Sequence, residues 1–321
     1  MTIGIGIWGM SDHSINKLLP SILKNEEFQF KGFLSRKSSK KFILNHKVFN
    51  SKESFLNDKT IDIIIICTPP ALHYDNAKDA MKAGKNIIVE KPITISLENS
   101  IELCELAEKN KLLLIEGFYY KYDPYFKIMN EKSKFILNTS YSINSYFTIP
   151  TLKRKSFRNV KSLGASSFWD IGCYPMSLIY ELFKDKIDKI NIIRTFLYHD
   201  LNNIDKLGYT FLNYKNFLSI NLYWGIDLSY KNYFEIFSTN KSLKFNYIFS
   251  KKKENIINFE EFDRYGNKKV IEIENKDSIN EFLKILARNI NNSNFKNKQL
   301  IDIKNLAKFQ NKVHGTYVDI Q

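Results

Sequence analysis

Three side chains of this chain have the chemistry to move a proton to or from an alcohol: Lys91, Asp170 and Tyr174. Lys91 lies in Glu90-Lys91-Pro92, directly after the apolar run at 86–89. Ligands of open parallel sheets bind beyond the carboxyl ends of the strands, so a lysine at this point is expected to face a ligand. Asp170 and Tyr174 are four residues apart, on one face if the segment is helical. An ammonium, a carboxylate and a phenol suit the oxidation of a hydroxyl, which needs a base and a positive field for the developing alkoxide.

The first part of the chain alternates apolar strands with amphipathic helices, which predicts an α/β fold with a doubly wound parallel sheet and right-handed crossovers. The β-branched run at 61–67 is typical of a strand covered on both faces. Gly84 and Ser96 are placed to cap helices, and Pro20 is expected to bend a helix or to stand near its start. We predict strands at 3–8, 28–34, 47–49, 61–67, 86–89 and 112–115, and helices at 15–23, 71–83 and 96–110.

The second part has many short strands separated by a few turn residues, a spacing that favours antiparallel hairpins. We therefore predict two domains, residues 1–122 with the parallel sheet and residues 123–321 as an α+β domain with an open, mainly antiparallel sheet. Strands are expected at 135–149, 190–198, 209–212, 217–224, 233–238, 243–249, 256–262 and 269–274, and helices at 166–184, 278–291 and 303–313.

Composition excludes several classes of protein. The 321 residues suffice for two hydrophobic cores, and the net charge of +14 would suit nucleic-acid binding. However, the lysines are spread along the chain, so we predict a solvated surface that attracts anionic ligands and no nucleic-acid partner. No apolar run approaches 18 residues and no charged leader precedes the first strand, so a soluble, cytoplasmic protein without a membrane partner is expected. Cys67, Cys104 and Cys173 and the five histidines lack metal-ligand spacing, so no metal is predicted.

The turn after the first strand resembles a dinucleotide-binding turn only in part. The motif G-x-G-x-x-G lets the backbone approach a pyrophosphate, and here the corresponding residues are Gly9, Met10, Ser11, Asp12, His13 and Ser14. Only the first glycine is present, but a strand precedes the turn and a helix follows it. The second strand ends at Ser35-Arg36, a small polar residue followed by a cation, which suits a 2′-phosphate. We therefore predict NADP, with NAD possible, and place Asp12 facing outward.

Several motifs in order resemble the Gfo/Idh/MocA oxidoreductases, named for glucose–fructose oxidoreductase, inositol dehydrogenase and a rhizopine-catabolism protein. The likeness covers most of the chain and is strongest over residues 1–185. It implies an NAD(P)-binding Rossmann domain, a second sheet domain that often mediates oligomerisation, and reversible oxidation of a hydroxyl on a sugar, cyclic polyol or sugar derivative. A homodimer or homotetramer through the second sheet is thus expected. The motifs are Thr68-Pro69-Pro70 with His73, the run 80–92, Glu116-Gly117-Phe118, Tyr122-Asp123-Pro124, Phe157-Arg158 and the run 170–175.

The resemblance and the residue chemistry together suggest roles for the site residues. The Lys91 ammonium would stabilise the alkoxide and favour phenolate formation at Tyr174, while Asp170 would orient the substrate or Lys91. Lys121 and Arg158 are the remaining substrate candidates. The predicted cofactor contacts are Gly9, Met10, Ser11, Asp12, His13, Ser35, Arg36, Thr68, Pro69, Pro70, His73, Glu90 and Lys91.

Two alternatives remain open from the sequence. One is a keto-sugar-nucleotide reductase of surface-glycan synthesis, because the basic balance suits an anionic substrate and Arg158 is able to meet its phosphates. The other is a non-catalytic dinucleotide-binding regulator, which the two missing glycines favour slightly and the retained Lys91, Asp170 and Tyr174 oppose.

Overall fold

Six strands form the parallel sheet of the N-terminal part in the computed structural model, which describes residues 2–35, 46–151, 156–251 and 256–320. The sheet order is β3-β2-β1-β4-β5-β6, and each pairing between these described strands is parallel. The order reverses between β1 and β4, where open α/β sheets form their ligand crevice. The strands are β1 (Ile3–Trp8), β2 (Phe28–Leu34), β3 (Val48–Phe49), β4 (Ile63–Ile66), β5 (Asn86–Val89) and β6 (Leu114–Glu116).

The helices begin and end where local chemistry predicts. Ser96 Oγ accepts a hydrogen bond from the backbone N–H of Asn99 at 3.3 Å and caps α4, and Gly84 follows α3 with φ +76. A π-helical turn, Ser14–Leu18, precedes α1, and Pro20 is near the start of that helix as expected. The helices are α1 (Leu19–Leu23), α2 (Lys52–Leu56), α3 (His73–Lys82), α4 (Leu97–Lys109), α5 (Pro124–Ile136), α6 (Cys173–Phe183), α7 (Ser278–Asn289) and α8 (Ser293–His314).

A second sheet, with nine strands among the described residues, has the order β14-β13-β12-β11-β7-β10-β9-β8-β15. Most pairings are antiparallel, as predicted, whereas β10 pairs with β7 and β15 with β8 in parallel. The strands are β7 (Ser140–Ile149), β8 (Ile190–His199), β9 (Asp205–Tyr214), β10 (Leu218–Ile226), β11 (Lys231–Ser238), β12 (Lys241–Asn246), β13 (Ile256–Asp263), β14 (Lys268–Glu274) and β15 (Tyr317–Ile320).

Residues 135–139 are helical and not part of a strand, so the predicted strand at 135–149 is wrong over its first five residues. Asp123 causes the difference, because its Oδ1 accepts from the Tyr125 N–H at 2.8 Å and starts α5 with Pro124 as the first residue. The sequence analysis also did not predict β15, and it placed only the second half of α8.

The chain divides into two compact units that differ from the predicted domains in one respect. Unit 1 comprises Met1–Tyr119 and Ser278–Ala307, and unit 2 comprises Tyr120–Asp277 and Lys308–Gln321. The sequence analysis assigned all of residues 123–321 to the second domain, whereas Leu300 and Ile303 share the core of unit 1 with Leu103 and Ala107 of α4. The role given to each domain stays a prediction.

Two further features concern the described residues as a whole. No helix described here is both long and apolar enough to cross a bilayer. Within the same residues, no group of three histidine, cysteine or carboxylate side chains has the arrangement of a metal site.

Candidate active site

Three predicted site segments of unit 1 lie at one edge of the parallel sheet. Gly9, Thr68 and Lys91 follow the carboxyl ends of β1, β4 and β5. Trp8 pairs with Ile66, and Ile66 with Val89, so these three strand ends are in register. The sheet therefore brings the three segments to the edge where such folds bind ligands.

The turn after β1 depends on glycine at Gly9. Its φ is +114, and a Cβ there would lie 2.7 Å from the carbonyl oxygen of Cys67, closer than any relaxed contact. The backbone of the turn thus packs directly against the chain that follows β4. A tight turn after the first strand is what a pyrophosphate-binding motif needs its first glycine for.

Two serines take the positions of the missing glycines and hold the turn by reciprocal hydrogen bonds. The N–H of Ser11 donates to Ser14 Oγ at 2.8 Å, and the N–H of Ser14 donates to Ser11 Oγ at 3.1 Å. Ser14 Oγ also lies 3.0 Å from the carbonyl oxygen of Gly9, and Ser14 is fully buried. The hydroxyls satisfy backbone groups that the sharp turn leaves without partners. Asp12 in the same turn is exposed, as predicted, and Met10 is half-buried.

His13 and Glu90 face each other beside this turn. His13 Nε2 lies 3.2 Å from Glu90 Oε1, and the His13 ring stacks on Tyr119 with centroids 6.0 Å apart. Burial alone would raise the pKa of the Glu90 carboxyl, but the His13 imidazole, the Lys91 ammonium and the Tyr119 hydroxyl lower it below its ordinary value. Glu90 is therefore ionised, and it directly precedes Lys91 in the chain.

The segment after β4 forms a short 3₁₀ turn, Pro70–Leu72, that leads into α3. Thr68 and Pro69 are half-buried, and Thr68 Oγ1 accepts a hydrogen bond from Asn76 Nδ2 at 3.0 Å. His73 is buried, and both of its ring nitrogens contact backbone carbonyls of unit 1. A contact between His73 and the cofactor would compete with these two contacts, which the sequence did not predict. The cofactor role of His73 stays a prediction.

The proposed 2′-phosphate contacts are only partly within the described residues. Ser35 follows β2 and is half-buried. Arg36 lies outside the described residues, so its predicted role remains a prediction.

Tyr174 stands out within α6, which is described throughout. The other side chains of this helix are buried, whereas Tyr174 is half-buried. Three aromatic rings of unit 2 surround it: Phe147 at 5.0 Å, Phe249 at 5.6 Å and Tyr120 at 5.9 Å between centroids. These rings fix the orientation of the phenol and leave it accessible from one direction.

Asp170 and Arg158, both predicted to serve the substrate, are paired with each other. Asp170 lies in the helical turn that precedes α6 and is 2% exposed. Arg158 Nε donates to Asp170 Oδ2 in a short hydrogen bond, and Nη2 donates to Oδ1 at 3.2 Å. Such a bidentate pair fixes the plane of the guanidinium and neutralises the buried carboxylate. Asp170 therefore orients Arg158 in this structure.

Lys121 belongs to an ion-paired group with Glu181 and Lys184. Its Nζ lies 3.3 Å from Glu181 Oε1, and Lys184 Nζ lies 3.0 Å from Oε2. Burial would raise the pKa of Glu181, but the two ammoniums lower it below its ordinary value. The predicted substrate role of Lys121 stays a prediction, and its contact with Glu181 is one that the sequence analysis missed.

The sequence also did not predict a hydrogen-bonded contact between Tyr120 and the backbone of Tyr174 through Ser177. Tyr120 Oη lies 2.6 Å from Ser177 Oγ, and Ser177 Oγ donates to the carbonyl oxygen of Tyr174 at 2.8 Å. Burial raises the pKa of Tyr120 well above its ordinary value, so it stays a neutral phenol. The one signal in the sequence is the helical spacing of Tyr174, Ser177 and Glu181, which places them on one face of α6.

Comparison with known proteins identifies a family for the part of the chain that contains the Gly9 turn and the Lys91 segment. Residues 3–118 match the Gfo/Idh/MocA oxidoreductase family, which is described as having an NAD-binding Rossmann fold. Over these residues, the sequence is that of a Gfo/Idh/MocA oxidoreductase. The resemblance given by the sequence motifs is thereby confirmed.

Two relatives that match more than half of this chain are 22% and 25% identical to it over the aligned residues. The dTDP-3,4-didehydro-2,6-dideoxy-alpha-D-glucose 3-reductase of Actinomadura kijaniata is 22% identical over 254 residues, which are 77% of this chain and 76% of the relative. The scyllo-inositol 2-dehydrogenase (NADP(+)) IolW of Bacillus subtilis (strain 168) is 25% identical over 190 residues, 57% of this chain and about half, 52%, of the relative.

A solved structure shares the fold over the whole chain. The crystal structure of KijD10, a 3-ketoreductase from Actinomadura kijaniata in complex with NADP and TDP-benzene, superposes with a TM-score of 0.92. The superposition covers 100% of this chain and 99% of that one, at 20% sequence identity. Both units of this chain therefore have the fold of that ketoreductase, and the predicted fold class is confirmed.

Proposed function

We propose that this protein is an NADP-preferring oxidoreductase that transfers a hydride between the nicotinamide and a hydroxyl or keto carbon of a sugar, cyclic polyol or sugar derivative. The observation that carries the proposal is the sheet edge of unit 1, where Lys91 follows β5 and the Gly9 turn follows β1, two strands that both pair with β4 in register. The residues present fit a dinucleotide, because Gly9 has the positive φ that suits the tight turn of a pyrophosphate-binding motif. When bound, the nicotinamide supplies or accepts the hydride.

Lys91 and Tyr174 handle the proton in this proposal. The Lys91 ammonium donates to the reacting oxygen and stabilises negative charge on it. Tyr174 exchanges the hydroxyl proton, and its half-buried ring is held for this purpose by Phe147, Phe249 and Tyr120. Asp170 supports the site through Arg158, since the two side chains are paired. The meeting of Lys91 and Tyr174 at one substrate is itself part of the proposal.

The preference for NADP is supported by two considerations. Ser35-Arg36 after β2 offers a small polar residue and a cation where the ribose is bound in such folds. The Bacillus inositol dehydrogenase is named for NADP, and KijD10 was crystallised with it. A sugar-type substrate is supported by the same relatives, whose names include an inositol and a nucleotide-linked deoxysugar.

Absorbance of the reduced nicotinamide, followed with a panel of free sugars, inositols and nucleotide-linked keto sugars, tests this proposal. We expect NADP(H)-dependent turnover with one class of substrate. Lys91→Met and Tyr174→Phe should each lower kcat by about 10²–10⁴-fold, as expected for removal of a general acid–base group, with little change in the Kd for NADPH. Lys82→Met, at an exposed lysine of α3, is the matched control. Wild-type-like turnover of the Lys91 variant would remove Lys91 from the mechanism.

We further propose that two copies associate through the outer face of the unit 2 sheet. An aromatic row crosses five neighbouring strands on this face, with Tyr223 at its centre. Tyr146 lies 4.8 Å from Tyr233 and 5.5 Å from Tyr223 between ring centroids. Tyrosine is enriched in protein interfaces because its ring gives contact area and its hydroxyl a hydrogen bond. The complete row is Phe196, Tyr209, Tyr223, Tyr146 and Tyr233.

Light scattering after size exclusion tests the association. We expect a dimer or tetramer for the wild type, and a smaller species for the double variant Tyr146→Glu, Tyr223→Lys, whose charges would be buried in the interface. Tyr265→Glu, at a residue 81% exposed on the β13–β14 turn, is the control. A monomeric wild type at all concentrations, or an unchanged mass for the double variant, would contradict this part of the proposal.

A further inference from the structure

His73 has an unusual set of contacts for a buried histidine. The residue is 1% exposed. Its Nδ1 lies 2.8 Å from the carbonyl oxygen of Pro92, and its Nε2 lies 2.8 Å from the carbonyl oxygen of Thr68. Both partners are acceptors, so each contact needs a proton on the imidazole nitrogen. The ring thereby connects the segment after β4 with the segment after β5.

A neutral imidazole has one N–H and satisfies only one of these two carbonyls, whereas the imidazolium satisfies both. The charged groups that face the ring are Glu90 and Lys91 from the end of β5. Burial lowers the pKa of His73 below its ordinary value, although the two carbonyls and Glu90 oppose this effect. The neutral ring is thus the form at neutral pH, and the second proton arrives only in acid.

The contact with Pro92 completes a set of restraints around Lys91. On one side of Lys91, the N–H of Glu90 donates to the carbonyl oxygen of Ile66 at 2.9 Å. On the other side, the N–H of Ile93 donates to Glu116 Oε1 at 2.9 Å. The Pro92 carbonyl belongs to the same peptide group as the Ile93 N–H, so Glu116 holds one end of this peptide group and His73 holds the other. The Pro92 contact is buried and the Thr68 contact is only partly buried, which favours the single N–H of the neutral ring at Nδ1, because a buried carbonyl without a donor costs more than one that water reaches. Without the His73 donor, this peptide group is held by its N–H alone, and the backbone next to Lys91 is less restrained.

We propose that His73 is a positioning residue for Lys91: its Nδ1–H donates to the Pro92 carbonyl and fixes the backbone that carries the amine, and protonation of Nε2 extends this restraint to Thr68. The kinetic side of the inference rests on the proposed function of Lys91. The assignment of the ring protons does not depend on it.

A pair of substitutions separates positioning from simple structural support. The amide nitrogen of Asn is as far from Cβ as Nδ1, so His73→Asn retains a donor for Pro92 and loses the one for Thr68. Gln reaches as far as Nε2, so His73→Gln retains the Thr68 contact and loses the Pro92 contact. We expect His73→Gln to lower kcat by about 10- to 100-fold, because small displacements of a catalytic group have effects of this size. His73→Asn keeps the donor for Pro92 and should therefore lower kcat much less than His73→Gln, whereas both variants should change the Kd for NADPH by the same factor, since both remove the imidazole.

The control for the paired substitutions is His46→Gln, at a half-buried histidine that packs edge-on against Phe30. Equal losses of kcat for His73→Asn and His73→Gln, or a loss confined to cofactor affinity, would overturn the positioning role.

A spectroscopic experiment tests the same inference without turnover. In the histidine-labelled full chain, long-range ¹⁵N–¹H correlation shows which ring nitrogens carry protons, and His73→Gln assigns the signal. At neutral pH we expect a proton on Nδ1 and a bare Nε2, and at a pH below the ordinary value for histidine a proton on both while the fold persists. A bare Nδ1 at neutral pH would overturn the proposal. If no substrate is turned over, the proposed function fails, and this spectrum still decides the role of His73.

Discussion

The ion pair between Arg158 and Asp170 makes the sharpest quantitative prediction. Removing one partner of a buried ion pair costs about 3–5 kcal/mol, because the other charge remains buried without compensation. Asp170 is 2% exposed, but the Arg158 side chain is 24% exposed, so water partly screens the pair and the lower end of that range applies. A domain of the size of unit 2 loses about 2–4 °C in Tm for each kcal/mol of stability. A loss of about 3 kcal/mol therefore corresponds to a fall of about 6–12 °C in its Tm.

The assay is a double-mutant cycle followed by calorimetry of the full chain. Arg158→Met removes the bidentate partner of the buried Asp170 carboxylate, so we expect it to show the full fall in Tm. Asp170→Asn should cost less, since its amide oxygen still accepts a hydrogen bond from Arg158. The double variant should lose less stability than the two single losses added together, by at least ~1 kcal/mol for groups in direct contact. Additive losses, or an unchanged Tm for Arg158→Met, would refute the conclusion that Asp170 is committed to Arg158.

Two further predictions concern the cofactor. Gly9→Ala should weaken NADPH binding and lower the stability of unit 1 by about 1–3 kcal/mol. The reason is that alanine is strained at φ +114 and its Cβ would overlap Cys67. Isothermal titration measures the binding, and calorimetry measures the stability. Arg36→Ala should weaken the binding of NADP(H) by about 10-fold or more and leave the binding of NAD(H) nearly unaffected, since a charge-assisted bond to the 2′-phosphate is lost. Equal losses of affinity for both cofactors would argue against that contact.

The strands of the first sheet were predictable from local sequence because most of their residues are buried. The run from Ile63 to Ile66 is fully buried, and both ends of β2 and β5 lie where the sequence analysis placed them. A strand that is covered on both faces needs a nearly continuous apolar sequence. The helix α5 was missed although Asp123-Pro124 is a recognisable start, because Phe135 and Ile136 continue into an apolar run that also suits a strand.

The candidate site was predictable in its residues but not in its pairings. Lys91 and Tyr174 follow from strand-end position and helical spacing, which are local properties. In contrast, the pairs Arg158–Asp170 and Lys121–Glu181 join different elements of unit 2, and the orientation of side chains between elements is set by packing. The parallel pairing of β15 with β8 joins strands more than a hundred residues apart in the chain, and no local pattern predicts such a partner.

The return of α7 and most of α8 to unit 1 has a practical consequence for anyone dividing the protein. A fragment cut after residue 122 would keep all six parallel strands yet leave the face of α4 around Leu103 and Ala107 uncovered, because Leu300 and Ile303 would be gone. Such a fragment should aggregate on expression. Joining residue 119 directly to residue 278 through a short linker would retain that cover, and it is the better starting point for isolating the nucleotide-binding half.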